Sequence, residues 1–598
     1  MSEYRAPLDD MGFVLRELID LEALSQLPGC EDATPDLVAV VLEEAGKFAA
    51  GVLSPLNRVG DVEGAKWQDG TVHTAAGWRE AYQQFVANGW NALSCEPEFG
   101  GQGLPRVVSA LVEEMWNSAN VSFALCPMLT RGAFEAIELR GSDELKRTYL
   151  PKMASGEWTG TMNLTEPQAG SDLAAVRTRA VPQDDGNYKL RGQKIFITYG
   201  DHDLTDNIVH LVLARLPDAP AGVKGISLFV VPKRVVNADG SLGAPNDVRC
   251  TSIEHKLGIH GSPTAVLAFG DQEGATGYLV GEENRGLEIM FITMNAARYS
   301  VGLEGVGLAE RAYQRALAYA RERIQGSEIG ASGGGHVAII RHPDVRRMLM
   351  LMKSRTEAMR ALACVVAAAM DSARWHPDVD QRRERQAFVD LLIPVVKGWS
   401  TENAIDIASL GVQVHGGMGF IEETGASQHL RDARITTIYE GTTGIQAADL
   451  IGRKIARDGG NAVGALLEQV RAVVAELDRE DNAALAAIAT VLREGVRALE
   501  RAVEFIVTTN GNEPRRVAVG AVPFLELLGN VAGGWQMARA ALVAQRRLES
   551  DEGDPAFYRG KILTARFYAD HVLSGSAGLA YTVCEGAVGA LELDDEQF

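Results

Sequence analysis

The apolar residues of this chain change their period twice, and that change restricts the fold more than any other feature. Up to about residue 158 they recur at three-and-four spacing. Pro35-Asp36-Leu37-Val38-Ala39-Val40-Val41-Leu42-Glu43-Glu44-Ala45 shows the pattern and opens with a helix-start signal. Between Thr159 and about Gly281 the runs shorten, become rich in β-branched residues and are broken by turn residues. Residues 207–214, 225–231 and 265–269 read as buried or half-buried strands. They follow one another too closely for helical crossovers, which predicts an antiparallel sheet or barrel. Helical spacing returns from Gly286 to about Arg457, as over 305–323 and 346–373, and continues from about Gly460 to Phe598. The last segment is split near Asn510-Gly511-Asn512-Glu513-Pro514. The expectation is an α+β protein in four parts: helical 1–158, β-rich 159–281, helical 282–458 and additional helices over 459–598.

Two glycine-rich stretches interrupt the helices. Glu96-Pro97-Glu98-Phe99-Gly100-Gly101-Gln102-Gly103-Leu104-Pro105 is a turn. It lacks GxGxxG spacing and no strand precedes it, so a dinucleotide-binding βαβ unit is a poor reading. Residues 326–335 form a second loop.

The 598 residues carry a formal net charge of -21, which argues against a general phosphate-backbone binder. No stretch approaches ~18 consecutive apolar residues, and the start, Met1-Ser2-Glu3-Tyr4-Arg5, lacks the regions of a signal peptide. The six cysteines show no CxxC pair and no metal spacing. They read as buried free thiols of a reducing, cytoplasmic protein.

One carboxylate stands out. Glu440 lies between Tyr439 and Gly441, after Arg431-Asp432-Ala433-Arg434-Ile435-Thr436-Thr437-Ile438 and before Thr442-Thr443-Gly444-Ile445-Gln446. A Glu at a helix-to-turn junction is ordinarily a solvated surface group. Held among apolar groups, its pKa would rise toward the range of a base at neutral pH. Tyr439-Glu440-Gly441-Thr442 resembles the catalytic segment of the acyl-CoA dehydrogenases, and three further motifs resemble that family in sequence order. Met162-Asn163-Leu164-Thr165-Glu166-Pro167-Gln168-Ala169-Gly170-Ser171-Asp172 is similar to its first flavin segment. Gly192-Gln193-Lys194-Ile195-Phe196-Ile197-Thr198 is similar to the strand beside the flavin ring. Gln413-Val414-His415-Gly416-Gly417-Met418-Gly419-Phe420 is similar to the glycine turn that receives the pyrophosphate. The resemblance covers roughly residues 35 to 455, and the tail beyond resembles the longer bacterial members of the family.

The resemblance implies an N-terminal helical domain, a middle β-domain, a C-terminal four-helix bundle, and FAD. It implies a step of fatty acid β-oxidation in which an acyl thioester becomes its 2,3-enoyl form. Such a step needs a base for the α-proton and a hydride acceptor, which no side chain can be. The matching base is Glu440; in some relatives the base comes from an earlier helix. The thioester oxygen must be met by preorganised donors as charge develops. In the family these are a backbone N–H of the Glu and a ribityl hydroxyl, and Gly441 would let the backbone turn closely around substrate. Met162, Leu164, Thr165, Phe196, Ile197 and Thr198 match flavin-contacting positions, with Phe196 the aromatic that packs on the ring. Ser171 matches a position touching acyl-CoA; as a bare sequence, Gly-Ser-Asp is a turn and helix cap. Arg298 matches an Arg near the flavin and the catalytic Glu. Asn295 stands where the family often has an Asp that helps hold CoA. Arg323 matches the Arg that binds FAD phosphate across a subunit boundary, a role suited to its fixed fork of donors. Gln413, Gly416, Gly417, Thr442 and Gly444 match further FAD positions. A homo-oligomer follows, with a dimer favoured.

Three readings remain apart. One is a dehydrogenase passing electrons to an electron-transfer flavoprotein. The second is an acyl-CoA oxidase, which shares the fold and the Glu but reduces oxygen; no C-terminal Ser-Lys-Leu is present. The third is a nucleic-acid-associated flavoprotein of the same fold. Its basic tail is not matched here, because Arg515, Arg516, Arg546 and Arg547 are offset by Glu549, Asp551, Glu552, Asp554, Asp594, Asp595 and Glu596.

Overall fold

A computed structural model describes residues 4–330 and 335–598, so residues 331–334 of the second glycine-rich loop lie outside the described residues. The chain forms two compact units. One holds residues up to 46, 105–118 and 301–598; the other holds 47–104 and 119–300. The chain leaves the first unit near Asn120, where extended backbone (φ −162, ψ 87) breaks the Arg106–Arg140 helix.

The second unit contains the β-rich stretch as an eight-stranded sheet and a separate two-stranded pair, Arg234–Val236 with Leu242–Pro245. The order of the larger sheet is Val248–Ile253, Thr264–Phe269, Tyr188–Thr198, Ala275–Val280, Ser227–Pro232, Asn207–Ala214 and Trp158–Asn163, with Arg179–Pro182 also paired to Tyr188–Thr198. The antiparallel expectation holds except between Trp158–Asn163 and Asn207–Ala214, which run parallel. The long return through Arg179–Pro182 and Tyr188–Thr198 supplies the crossover that a parallel pair needs. Asn207–Ala214, Ser227–Pro232 and Thr264–Phe269 are buried on both faces, which explains their unbroken apolar runs. The stretch before the sheet is mainly helical, but it includes a small hairpin of Lys66–Gln68 with Thr71–His73 that helical spacing did not reveal.

The first unit is helical throughout its described elements. Pro343–Trp375 packs along Val379–His415; of the C-terminal segment, Ala521–Glu549 packs on both, and Pro555–His571 packs on Pro343–Trp375 and Ala521–Glu549. Trp399 is the anchor. Its Nε1–H donates to Asn530 Oδ1 at 2.9 Å, and Gly529 lies so close that a Cβ would come within 2.3 Å of the indole. Arg360 is buried beneath, donating to Asp10, Glu114 and Glu310, while Lys561 donates to Asp10 and to Glu357. One charge cluster therefore ties the N-terminal helix, the central helices and the C-terminal segment together. All six cysteines are free and buried, as expected.

Candidate active site

In the sheet unit, two of the matching motifs are stitched to each other. Met162 is buried in Trp158–Asn163, and Leu164 and Thr165 follow half-buried. Thr165 O accepts from Ile195 N at 3.0 Å. Lys194 Nζ donates to Leu164 O at 3.0 Å and to Glu166 Oε1 at 2.8 Å. Glu166 also accepts from the Arg177 and Thr178 backbone N–H groups and the Thr178 hydroxyl. Burial opposes both charges of the pair. It wins at Lys194, whose pKa falls to about 8. At Glu166 the burial is outweighed by Lys194 and the hydrogen bonds, and the carboxyl is held below its usual range.

Beside this pair the ladder to Thr264–Phe269 slips, opposite the stretch from Lys194 to Ile197. The bulge puts Phe196 at φ 59 and leaves its side chain 59% exposed, while Ile197 is buried and Thr198 half-buried. An aromatic ring turned out of a sheet in this way offers a free apolar face. Ser171 is exposed, and the cap of the following turn is Asp172, whose Oδ1 accepts from Ala174 N. Arg298 is buried in the Gly286–Glu322 helix and donates to Asn295 Oδ1 at 3.4 Å.

In the helical unit, the candidate base is built on a close helix crossing. Gly302 and Gly305 press on Val379–His415; a Cβ at Gly302 would meet Val396 at 2.6 Å, and one at Gly305 would meet Ser400 O at 2.8 Å. This approach buries Glu304 and Lys397. Lys397 Nζ donates to Thr436 O at 2.7 Å and to Gly441 O at 2.8 Å, spanning the segment that carries Glu440. Gln446 Nε2 donates to Glu440 O at 3.2 Å. The Tyr439 hydroxyl donates to Glu304 Oε2. Burial pushes the Glu304 carboxyl up to about 8; Glu440 and Glu113 add to this, and Tyr439 and Lys397 oppose it.

So fastened, Glu440 is half-buried in the left-handed region at φ 53, a strained conformation for a side chain with a Cβ. Gly441 follows at φ 91, where a Cβ would come within 2.5 Å of Gln446 Nε2. Thr442 caps the Thr443–Asp449 helix through Ile445 N, and Gly444 is exposed in its first turn. Glu440, Gly441, Thr442 and Gly444 thus share one turn. Gln413, Gly416 and Gly417 are exposed at the end of Val379–His415, and Arg323 is exposed just past Gly286–Glu322. Sequence reasoning did not single out Glu304 or Lys397. Each is a lone charge in an otherwise apolar or small-residue helix stretch, and that was the available signal.

Four family models match in order: an acyl-CoA dehydrogenase N-terminal domain over residues 39–157, a middle domain over 161–272, a C-terminal domain over 284–455, and an acetyl-CoA dehydrogenase C-terminal-like model over 466–594. The chain is 50% identical to the 3-methylmercaptopropionyl-CoA dehydrogenase of Ruegeria pomeroyi, over 95% of this chain and 96% of that one. It belongs to the acyl-CoA dehydrogenase family. A butyryl-CoA dehydrogenase of Syntrophomonas wolfei is 35% identical over 100% of this chain and 99% of its own. The fold is shared with an acyl-CoA dehydrogenase from Bacillus anthracis complexed with FAD, at a TM-score of 0.73 and 22% identity over 94% of this chain and 89% of that chain.

Members of the acyl-CoA dehydrogenase family bind FAD, and the residues present fit it. The outward Phe196 ring suits one face of a planar heterocycle. At Gly416 and Gly417 a Cβ would meet nothing within 4 Å, leaving backbone open to a phosphate. Arg323 presents an exposed guanidinium.

Proposed function

We propose that Glu440 is the base of an FAD-dependent dehydrogenation of short, unbranched acyl-CoA thioesters, 3-methylmercaptopropionyl-CoA among them. The observation that carries this reading is the fastening of Glu440: a half-buried carboxylate in a strained conformation, its turn pinned by Lys397 and Gln446. Structure rarely keeps such strain without a use for it.

In this reading the Glu440 carboxylate takes the proton from C2 and a double bond forms between C2 and C3. Bound FAD supplies the acceptor for the hydride leaving C3. The Glu440 backbone N–H faces the thioester oxygen as it gains negative charge. Phe196 and Thr198 hold the flavin ring; Met162, Leu164, Thr165 and Ile197 line it. Gln413, Gly416, Gly417, Thr442 and Gly444 serve the rest of the cofactor. Arg323 binds phosphate in a partner subunit's cofactor, so the active form is at least a dimer. Ser171, Asn295, Arg298 and Gly441 contact the thioester. Electrons then pass to an electron-transfer flavoprotein. The two relatives above support this substrate class, because a methylthio-propionyl chain is nearly isosteric with a short unbranched acyl group.

Anaerobic titration of the flavin-loaded protein with a panel of acyl-CoAs tests this. Bleaching of the flavin by short thioesters, with slow recovery in air and fast recovery with electron-transfer flavoprotein, is the expected result. Flavin that no thioester bleaches overturns it, and immediate recovery in air turns the assignment to an oxidase.

A further inference from the structure

Glu304 has no part in the chemistry above, yet it lies fully buried against the segment that performs it. It is on the Gly286–Glu322 helix, and its Oε2 accepts the hydroxyl of Tyr439, the residue before Glu440. Its other oxygen, Oε1, is buried and has no hydrogen-bond partner among the described residues. Four titratable groups face it from three elements. Tyr439 and Glu440 belong to the catalytic turn, Lys397 to the Val379–His415 helix, and Glu113 to the Arg106–Arg140 helix, where Arg106 pairs with it.

We propose that Glu304 is a positioning residue for proton abstraction, holding Tyr439 and setting the pH range over which Glu440 acts as base. This deepens the proposed function and rests on it. Two interacting carboxyls, one fully buried and the other half-buried, do not both ionise readily, so one proton is retained between them. Glu304 keeps it: it is the more buried of the two, and one of its oxygens lacks a donor. A neutral acid tolerates that situation at much less cost than a carboxylate does. Burial pushes its pKa to about 8, with Glu440 and Glu113 adding, so near neutrality Glu304 is uncharged and Glu440 is free to be the anion. Above that pH Glu304 ionises, and its charge raises the proton affinity of Glu440.

Glu304→Gln and Tyr439→Phe test this. The Gln amide oxygen can still accept the phenol, so the turn is kept while the titration is removed. The pH profile of acyl-CoA dehydrogenation should show an alkaline inflection near pH 8 in the natural protein, and none in Glu304→Gln. The phenol lowers the pKa of Glu304, so in Tyr439→Phe the inflection should move to higher pH. A second readout needs no turnover. The raised pKa of Glu304 contributes stability that is complete below the ordinary carboxylate range and lost as pH rises through about 8. The melting temperature of Glu304→Gln relative to the natural protein should therefore rise between pH 5 and pH 8. An unchanged inflection in Glu304→Gln, or a Tyr439→Phe profile that superimposes on the natural one, overturns the proposal. If Glu304→Gln does not fold, the Tyr439→Phe shift decides. If no thioester bleaches the flavin, the proposed function fails, and the melting comparison still tests whether Glu304 carries the buried proton.

Discussion

Lys397 Nζ lies 2.8 Å from the carbonyl oxygen of Gly441, the residue after Glu440, and 2.7 Å from that of Thr436. A buried ammonium thus bridges both ends of the segment that carries Glu440, where water would otherwise have to satisfy two carbonyls. Its position follows from Gly302 and Gly305, which let two long helices approach without side chains between them.

Replacing that bridge should misplace Glu440 without removing it. Lys397→Met keeps most of the side-chain volume but leaves two carbonyls unpaired, at about 1–3 kcal/mol each. We expect a lower melting temperature and a kcat reduced on the order of a hundredfold, as misplacement of a catalytic group by about 1 Å produces. Flavin should stay bound. A Lys397→Met protein with unchanged kcat would show that the clamp is not needed for Glu440 to act.

Glu440→Gln should separate binding from chemistry. The amide preserves the size and hydrogen-bonding reach of the side chain but cannot take a proton, so flavin and thioester should still bind. Loss of a positioned base removes on the order of 10²–10⁴ in rate. Rapid-mixing bleaching of the flavin measures this step directly; full bleaching at the natural rate would send the search to another carboxylate.

These two predictions mark how far the site was legible. Glu440 could be proposed because its neighbours form a motif, and the change of texture near residues 159 and 281 was readable because strands buried on both faces give unbroken apolar runs. Lys397 and Glu304 were not readable as a pair. They lie far apart in sequence, and their meeting depends on the close approach at Gly302 and Gly305, which helical periodicity does not encode. The parallel pairing of Trp158–Asn163 was hidden for a related reason. Strand signals are local, whereas the neighbour a strand takes depends on the path of the whole chain.

Gly416 ends the Val379–His415 helix at φ 60, ψ −142, a conformation open essentially to glycine. Gly416→Ala should strain that turn by about 1–3 kcal/mol. If the turn receives the cofactor's pyrophosphate, flavin affinity should fall roughly tenfold or more, since about 1.4 kcal/mol corresponds to a factor of ten. Flavin retained after dialysis measures it. Undiminished retention would remove Gly416 from the cofactor site.

Arg360 is the centre of the charge cluster that joins Asp10, Glu114 and Glu310. Burial works against its charge, but Glu114 and Glu310 outweigh that and raise its pKa. Arg360→Met would leave three carboxylates without their shared cation, and breaking one buried pair typically costs about 3–5 kcal/mol. We expect a large drop in melting temperature, accompanied by proteolysis of the C-terminal segment, because Asp10 also receives Lys561 from that segment. A melting temperature within a degree or two of the natural one would mean the cluster is solvated.

Lys194 and Glu166 give the acid side of the stability curve. The Glu166 carboxyl is held below its ordinary range, so the stability it contributes is present above that range and lost as pH falls through the lowered value. The Lys194 ammonium, with a pKa of about 8, titrates well outside that acid window. Lys194→Met removes the main force holding Glu166 ionised while leaving the carboxyl 4% exposed. Burial then dominates and lifts its pKa, so the variant should be weakest relative to the natural protein near neutrality, the gap closing as Glu166 becomes protonated in acid. Thermal melts at pH 4, 5.5 and 7 follow this. A gap that stays constant across the series would show that Glu166 keeps its charge without Lys194, sustained by the Arg177 and Thr178 backbone donors and the Thr178 hydroxyl.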